Sequence, residues 1–382
     1  MNNFLHREVA ELYVFASIHG LALSLIVLFE PIYIFLFLGK SVSQTLLYFG
    51  LIPLIYAPLS PFAGKVLARL GVKHMMALSV PFIFLYYIVL WQINFAPNMI
   101  FLAAFLKIAS LFFFWSAFHS DYSRFSRRGQ RGKEISAYRA IITSAGALGP
   151  VIGGIIITFL GFPTLFIIVL FLLLVSLIPL FMSGEVYEEY GDSYEMAFSD
   201  AVSESSRKNA LAFIGEGVSY GAFLFIWPIF VFMLSIGFKN IGGISTLALL
   251  AGIFLAFYVG RLSDRSDKQR LVKIGSVLTS LAWISQIFVS NVFSAFMAKT
   301  FYQLSLTARE IPFSALWVDI IEDHGQMSRE RLVIQRELVH NIGRGGSLIL
   351  FAGLFYFLPS FYPIFILAAL ASLLMMFFGS RN

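Results

Sequence analysis

Long apolar stretches, separated by short polar turns, follow one another along the whole chain. Each stretch has about 20 residues, the length that an α-helix needs to cross the hydrocarbon core of a bilayer. Lipid cannot satisfy unpaired backbone amides, so helices are expected throughout these stretches. The pattern predicts an all-α membrane protein with twelve transmembrane helices, at approximately 11–38, 44–63, 75–93, 98–118, 137–160, 163–182, 209–235, 241–259, 271–290, 292–318, 334–357 and 361–379.

One long polar segment interrupts the pattern near its midpoint. Residues 183–208 contain seven acidic residues and little apolar periodicity. We interpret this segment as a cytoplasmic linker that joins a six-helix bundle at 1–182 to a second one at 209–382. A solvated tether is favoured over a regulatory module.

The two predicted bundles repeat one another at an offset of 196–198 residues. Pro31 aligns with Pro228, Gly64 with Gly260, and Arg69 with Arg265, and further matches keep the same order. Because six crossings are an even number, both copies have the same orientation in the membrane. Parallel repeats of this kind place a solute site between the two halves of a transporter.

Charge is scarce and unevenly placed. Charged residues make up 13% of the chain, against roughly 25% in soluble domains. Basic residues gather in alternate connections, whereas Lys40 and Lys239 are the basic residues of the opposite side. The positive-inside rule then predicts a multi-pass protein of the cell membrane with both termini in the cytoplasm. It also explains the net charge of +6 without a nucleic-acid partner.

Three glycine-containing motifs carry a resemblance to a known family. The segment from Gly260 to Arg265 resembles the G-x-L-x-D-R cytoplasmic loop motif of the major facilitator superfamily. Its first-half counterpart has Ala68 in place of the motif's Asp. A third segment is similar to the G-P-x-x-G-G motif of drug/proton antiporters in that superfamily. The matching positions are Gly260, Asp264 and Arg265 in the second half, Gly64, Arg69 and Gly71 in the first half, and Gly146, Gly149, Pro150, Gly153 and Gly154 in the fifth helix.

Each motif has two interpretations. The loop motif is predicted to form a tight turn that latches one gate state, or else an ordinary surface turn with positive-inside charge. The glycines of the fifth helix let helices approach closely, and the resemblance implies that they also seal an exporter against proton leak. The resemblance further implies that helices 1, 4, 7 and 10 line a cavity while helices 3, 6, 9 and 12 face lipid.

Ionisable residues inside the membrane are costly and usually have a task. Glu30 and Lys107 are predicted to lie at equal depth and to form a pair. The pair is either a proton-coupling site or a fixed structural ion pair. Glu216 and Arg309 are a candidate inner-gate or substrate-contact pair. Lys299 is a possible anion contact, or its amine extends toward the interface. His19, the repeat counterpart of Glu216, is either a packing residue or a proton relay, and a lone histidine in an apolar helix is more often the former. Arg344 is the deepest cation of a polar stripe on helix 11.

No nucleotide-binding loop, G-x-S-x-G motif or His/Cys metal cluster occurs in the sequence. We therefore predict a monomeric secondary transporter without a cofactor, not an enzyme, that exports a small amphipathic molecule by proton-coupled alternating access. Proton-linked uptake of a sugar or an organic anion is the first alternative. A non-transporting receptor or a membrane enzyme is the alternative of another class.

Overall fold

The computed structural model describes residues 2–122, 144, 146–182, 207–323 and 326–379. The predicted acidic linker, apart from Arg207 and Lys208, lies outside these residues. So do residues 137–143 and Ala145 of the predicted fifth helix.

The first six helices begin and end as follows. Helix α1 is divided into Asn2–Ile26 and Glu30–Phe37, and α2 consists of Val42–Tyr56, a 3-10 turn and Ser60–Leu70. Helix α3 spans Val72–Gln92 and α4 spans Met99–Tyr122. Helices α5 and α6 lie within the segment Gly149–Ser176 and are separated by a kink at Gly161, whose φ is 80°.

The last six helices have the same order. Helix α7 consists of Arg207–Gly221, a π-helical turn at Ala222–Ile226 and Trp227–Met233. Helix α8 spans Phe238–Arg265, and α9 spans Lys268–Ser285. The chain continues with α10 at Val292–Asp323, α11 at Gln326–Phe357 and α12 at Tyr362–Leu373.

The prediction of twelve transmembrane helices is confirmed. In the described residues, eight helical spans are long and apolar enough to cross a bilayer, and one of them holds both α5 and α6. Helices α4 and α12 contribute shorter apolar segments, Met99–Trp115 and Tyr362–Phe377. Helix α10 is long but interrupted by Lys299, Arg309 and Glu310, so its hydropathy alone is a weak signal. Several helices extend beyond the predicted bounds, α2 to Leu70 and α11 back to Gln326.

Glycine contacts join the first six helices to the last six at two crossings. Where α5 meets α8, a Cβ on Gly242 would lie 2.1 Å from the Pro150 carbonyl oxygen, and a Cβ on Gly154 would lie 2.4 Å from that of Phe238. Where α2 meets α11, a Cβ on Gly345 would lie 2.7 Å from the carbonyl oxygen of Gly50. Real side chains do not fit at such distances, so these backbones touch because the residues are glycines.

We call the end of the molecule with the connections at 38–41 and 234–237 the short-turn side, and the opposite end the linker side. On the short-turn side, aromatic rings from the two sets of helices pack against each other. Phe35 lies 6.4 Å from Phe232, and Phe29 lies 6.0 Å from Phe238 (ring centroids). Deeper between the sets, Phe49 stacks on Phe225 at 4.4 Å. The described helices are therefore closed on the short-turn side by apolar contacts.

The predicted turn at Gly260 to Arg265 is wrong. These residues form the last turns of α8, which remains helical through Arg265. The chain turns instead at Ser266, and Asp267 caps α9 by accepting bonds from the backbone amides of Gln269 and Arg270. In the first half, Gly71 (φ 84°) separates α2 from α3, a conformation that favours glycine.

Candidate functional site

Glu30 is the centre of a buried polar cluster in the first half. It begins the second segment of α1 just before Pro31, which has no amide hydrogen to continue the helical ladder. Lys107 Nζ of α4 lies 3.1 Å from both Glu30 carboxylate oxygens. Glu30 is 3% exposed and the Lys107 side chain is 18% exposed, so the carboxylate is buried and the amine is mostly so. The structure thus brings Glu30 and Lys107 together, while their role stays a prediction.

Two tyrosines that the sequence analysis missed complete the cluster. Tyr86 Oη donates to Glu30 Oε1 at 2.9 Å, and Tyr87 Oη donates to Oε2 at 3.2 Å. The Lys107 amine lies 4.6 Å from the centroid of the Tyr86 ring. Both tyrosines belong to α3, so the face of that helix that packs on the bundle contributes to the cluster. The sequence signal that could have identified these two residues is a pair of adjacent tyrosines in an otherwise apolar helix.

Glu216 of α7 occupies a second buried cluster, but its predicted partner is wrong. Arg336 of α11 binds Glu216 at 2.8 Å, and His340 Nδ1 lies 3.5 Å from the other carboxylate oxygen. Arg309 instead binds its neighbour Glu310 at 2.9 Å. A Cβ on Gly275 of α9 would lie 2.6 Å from the Arg309 Cα, so this part of α10 is pressed against α9.

Lys299 of α10 is 3% exposed and lies among aromatic rings of α7. Its Nζ is 3.7 Å from the ring centroids of both Phe223 and Trp227. Among the residues that the structure describes, no carboxylate lies within ion-pair distance of this amine. The predicted alternative in which its amine extends toward the interface does not match this burial.

Arg344 of α11 lies nearer the linker side than Lys299, because it contacts Tyr220, whereas Lys299 contacts Phe223 and Trp227 further along α7. One of its nitrogens donates to Asn341 Oδ1 at 2.6 Å, and its guanidinium carbon is 5.9 Å from the ring of Tyr220. Its Nε is buried without a partner. Like Lys299, it has no carboxylate within ion-pair distance in the described part of the chain.

His19 is packed between aromatic rings. Its ring centroid lies 5.2 Å from that of Phe15 and 4.9 Å from that of Phe114, both in stacked geometry. The side chain is 5% exposed, and its Nδ1 has no hydrogen-bond partner. It lies at neither of the charge clusters, and these contacts are those of a packing residue.

The motif positions fall at helix ends and helix crossings. Gly64 is buried in α2, while Arg69, Asp264 and Arg265 lie exposed at the ends of α2 and α8. Near this end of α8, Lys268 forms an ion pair with Asp319 of α10.

The glycines of α5 pack against α1 and α8. A Cβ on Gly149 would lie 2.0 Å from Ser24 Oγ, and one on Gly153 would lie 2.0 Å from the Leu25 carbonyl oxygen. Gly146 also faces Ser24. Beside Pro150, the Val151 amide donates to Thr246 Oγ1 of α8 at 3.1 Å. Close helix packing is therefore the property that the geometry assigns to this motif.

Comparison with known proteins agrees with this architecture. A "multi-drug resistance efflux pump PmrA homolog" of Lactococcus lactis is 25% identical over 288 residues, which cover 71% of this chain and 70% of that protein. The crystal structure of the E. coli fucose:proton symporter covers 98% of both chains with a TM-score of 0.68 and 12% identity. The human organic anion transporter MFSD10 gives a TM-score of 0.70 at 13% identity, covering 97% of this chain and 98% of its own.

The two structural likenesses establish the twelve-helix fold. The sequence profile of the Major Facilitator Superfamily matches residues 12–327, which is most of the chain. Members of this superfamily are transporters of small solutes. The chain belongs to the Major Facilitator Superfamily.

Proposed function

We propose that this protein is a proton-coupled secondary transporter that exports a small amphipathic molecule by alternating access. The observation that carries the proposal is the buried cluster of Glu30, Lys107, Tyr86 and Tyr87. A carboxylate that is held inside the membrane by one cation and two hydroxyl donors can exchange its proton when solute or conformation changes its surroundings.

The position of Glu30 supports a coupling role. It lies at the break in α1, and α1 packs against α5 at Gly149 and Gly153. Helix α5 in turn forms one of the two glycine crossings between the halves. A movement of the halves at that crossing would therefore be transmitted to α1 and to the surroundings of Glu30.

Export is proposed over uptake because of the efflux-pump relative and the glycine motif of α5, which resembles that of drug/proton antiporters. The apolar rings that surround the charges, such as Phe223 and Trp227 at Lys299, suit a solute with an apolar body. We also propose that both termini lie in the cytoplasm and that the halves are 1–182 and 209–382, joined by 183–208.

Proton movement in liposomes tests the proposal. The purified protein is reconstituted with an internal pH-sensitive dye, and solutes are screened for those that move protons. We expect one solute class to drive proton flux in wild type and Glu30→Gln to abolish it, leaving transport independent of pH. Asp267→Asn is the matched control, because it removes one exposed carboxylate while keeping a side chain that can cap α9.

Proton flux that survives in Glu30→Gln with the wild-type pH dependence would contradict the coupling role. Proton-linked uptake is the second candidate, and buried Lys299 and Arg344 without carboxylate partners favour it if the solute is a nutrient anion. The direction of solute movement under an imposed proton gradient separates the two candidates.

A further inference from the structure

We propose that the face of α7 formed by Tyr220, Phe223 and Trp227, together with Lys299 and Arg344, is a binding site for an amphipathic organic anion. This inference rests on the proposed transport function and specifies the charge of the solute. The site holds two buried basic side chains, and neither has a carboxylate within ion-pair distance among the described residues. The nearest link to an acidic group is at Arg344, which donates to Asn341, and Asn341 in turn donates to Glu337.

The pairing of buried charged residues in the last six helices supports this site. Arg336 is paired with Glu216, and Arg309 is paired with Glu310. Lys299 and Arg344 are 3% and 9% exposed and have no carboxylate within ion-pair distance among the described residues. Ionisable side chains inside a membrane are costly, so one that lacks an ion-pair partner is a candidate for contact with a charged ligand.

The internal repeat shows that the position of Glu30 has no carboxylate in the second half. Pro31 and Pro228 are equivalent, so the residues before them, Glu30 and Trp227, are equivalent too. In the first half a lysine of α4 meets the carboxylate at this position. In the second half a lysine of α10 meets an indole ring there. Lys299 is not the repeat counterpart of Lys107, whose equivalent positions are Gln303 to Ser305, but it brings an amine to the position where the second half has no carboxylate. Its three N–H donors therefore have no anionic partner there.

The rings define the shape of the ligand. Tyr220 and Trp227 are seven residues apart, roughly 10 Å along the helix axis. Arg344 lies against the first ring, and Lys299 lies between Phe223 and Trp227. Tyr220 is 36% exposed although it contacts both His340 and Arg344 of α11, so the space beside it borders polar side chains. These side chains are chemically complementary to an aryl or alkyl body with one carboxylate, sulfonate or phosphate group.

The local backbone is also unusual at this position. Phe223 lies in the π-helical turn Ala222–Ile226. Single π-helical turns in α-helices often mark functional sites. This turn moves the side chains of Phe223 and Trp227 out of ordinary helical spacing, and both rings meet the amine of Lys299.

Binding of charge-matched probes tests the site without any gradient. The protein is placed in lipid nanodiscs and titrated calorimetrically with naphthoate, naphthalenesulfonate, the uncharged naphthamide and the cationic naphthylmethylammonium, with empty nanodiscs subtracted. We expect saturable binding of the anions and at least about tenfold weaker binding of the uncharged and cationic probes, because charge-assisted hydrogen bonds are lost.

Variants identify the cations responsible. Lys299→Gln and Arg344→Gln should each weaken anion binding at least about tenfold, whereas Lys299→Arg should retain part of it. Lys239→Gln is the matched control, since it removes an exposed lysine from the start of α8 and should leave binding unchanged. Elution as a single species in size exclusion shows that each variant is folded.

Two results would overturn the inference: no saturable binding of either anion, or anion binding that both Gln variants retain at wild-type strength. Preference for the cationic probe would overturn it as well. Failure here is distinct from failure of proton coupling, because Glu30→Gln should still bind the anions, and a chain that moves no protons can still show Lys299-dependent binding.

Discussion

At the scale of single residues, the buried charges are organised by which side chains can reach each other around the helix axis. Sequence spacing gives the depth of a residue in the membrane, and depth correctly paired Glu30 with Lys107. It paired Glu216 with Arg309 incorrectly, because Arg309 lies where α10 is pressed against Gly275 of α9. The hydroxyls of Tyr86 and Tyr87 were missed because tyrosine carries no charge to stand out in a chain that is 17% aromatic.

The ion pair of the first half makes a prediction about stability. Lys107→Met leaves the Glu30 carboxylate buried without its cation, which in comparable buried pairs costs about 3–5 kcal/mol. Glu30→Gln with Lys107→Met removes both charges and should recover most of that loss. Thermal unfolding of the detergent-solubilised variants, followed by size exclusion, measures the difference. A double variant that unfolds at the temperature of Lys107→Met would show that the two charges are not coupled.

At the scale of elements, glycines are where helix backbones touch, both within the first half and between the halves. The sequence predicted close packing at Gly149 to Gly154, and the structure places α1 and α8 against them. It did not predict the crossing of α2 and α11 at Gly50 and Gly345, since neither glycine belongs to a motif that the sequence analysis recognised. The π-helical turn in α7 was also unpredicted, because hydropathy does not distinguish a π-helical turn from an α-helical one.

Adjacent glycines in α8 offer a matched test of the crossing. A Cβ on Gly242 would lie 2.1 Å from the Pro150 carbonyl oxygen, whereas a Cβ on Gly243 would meet nothing within 4 Å. Gly242→Ala should therefore destabilise the protein by about 1–3 kcal/mol, as overpacking does, and should slow transport. Gly243→Ala should be neutral or slightly stabilising, because alanine favours helix.

Thermal unfolding and transport are compared for this pair of variants. The same comparison can be made in α11, where Gly345 faces Leu54 and the backbone of Gly50 while Gly346 faces open space. Equal effects of the two substitutions within a pair would mean that the crossings do not depend on close backbone contact.

At the scale of the whole molecule, the described structure is closed on the short-turn side and joined at two glycine crossings. The twelve helices and their duplication could be predicted because the cost of an unpaired backbone in lipid imposes a strong and regular pattern. Which side of the molecule is closed could not be predicted, because the conformations of a transporter that open to opposite sides have the same sequence. Alternating access requires the aromatic contacts between α1 and α7 to separate in every cycle.

A reversible cross-link across these contacts tests that requirement most directly. The chain contains no cysteine, so Phe35→Cys with Phe232→Cys introduces a single pair of thiols at a contact whose ring centroids are 6.4 Å apart. Solute transport in liposomes is measured after oxidation and again after reduction, with each single-cysteine variant as a control. The account predicts that oxidation arrests transport and that reduction restores it. Undiminished transport by the fully cross-linked protein would contradict it.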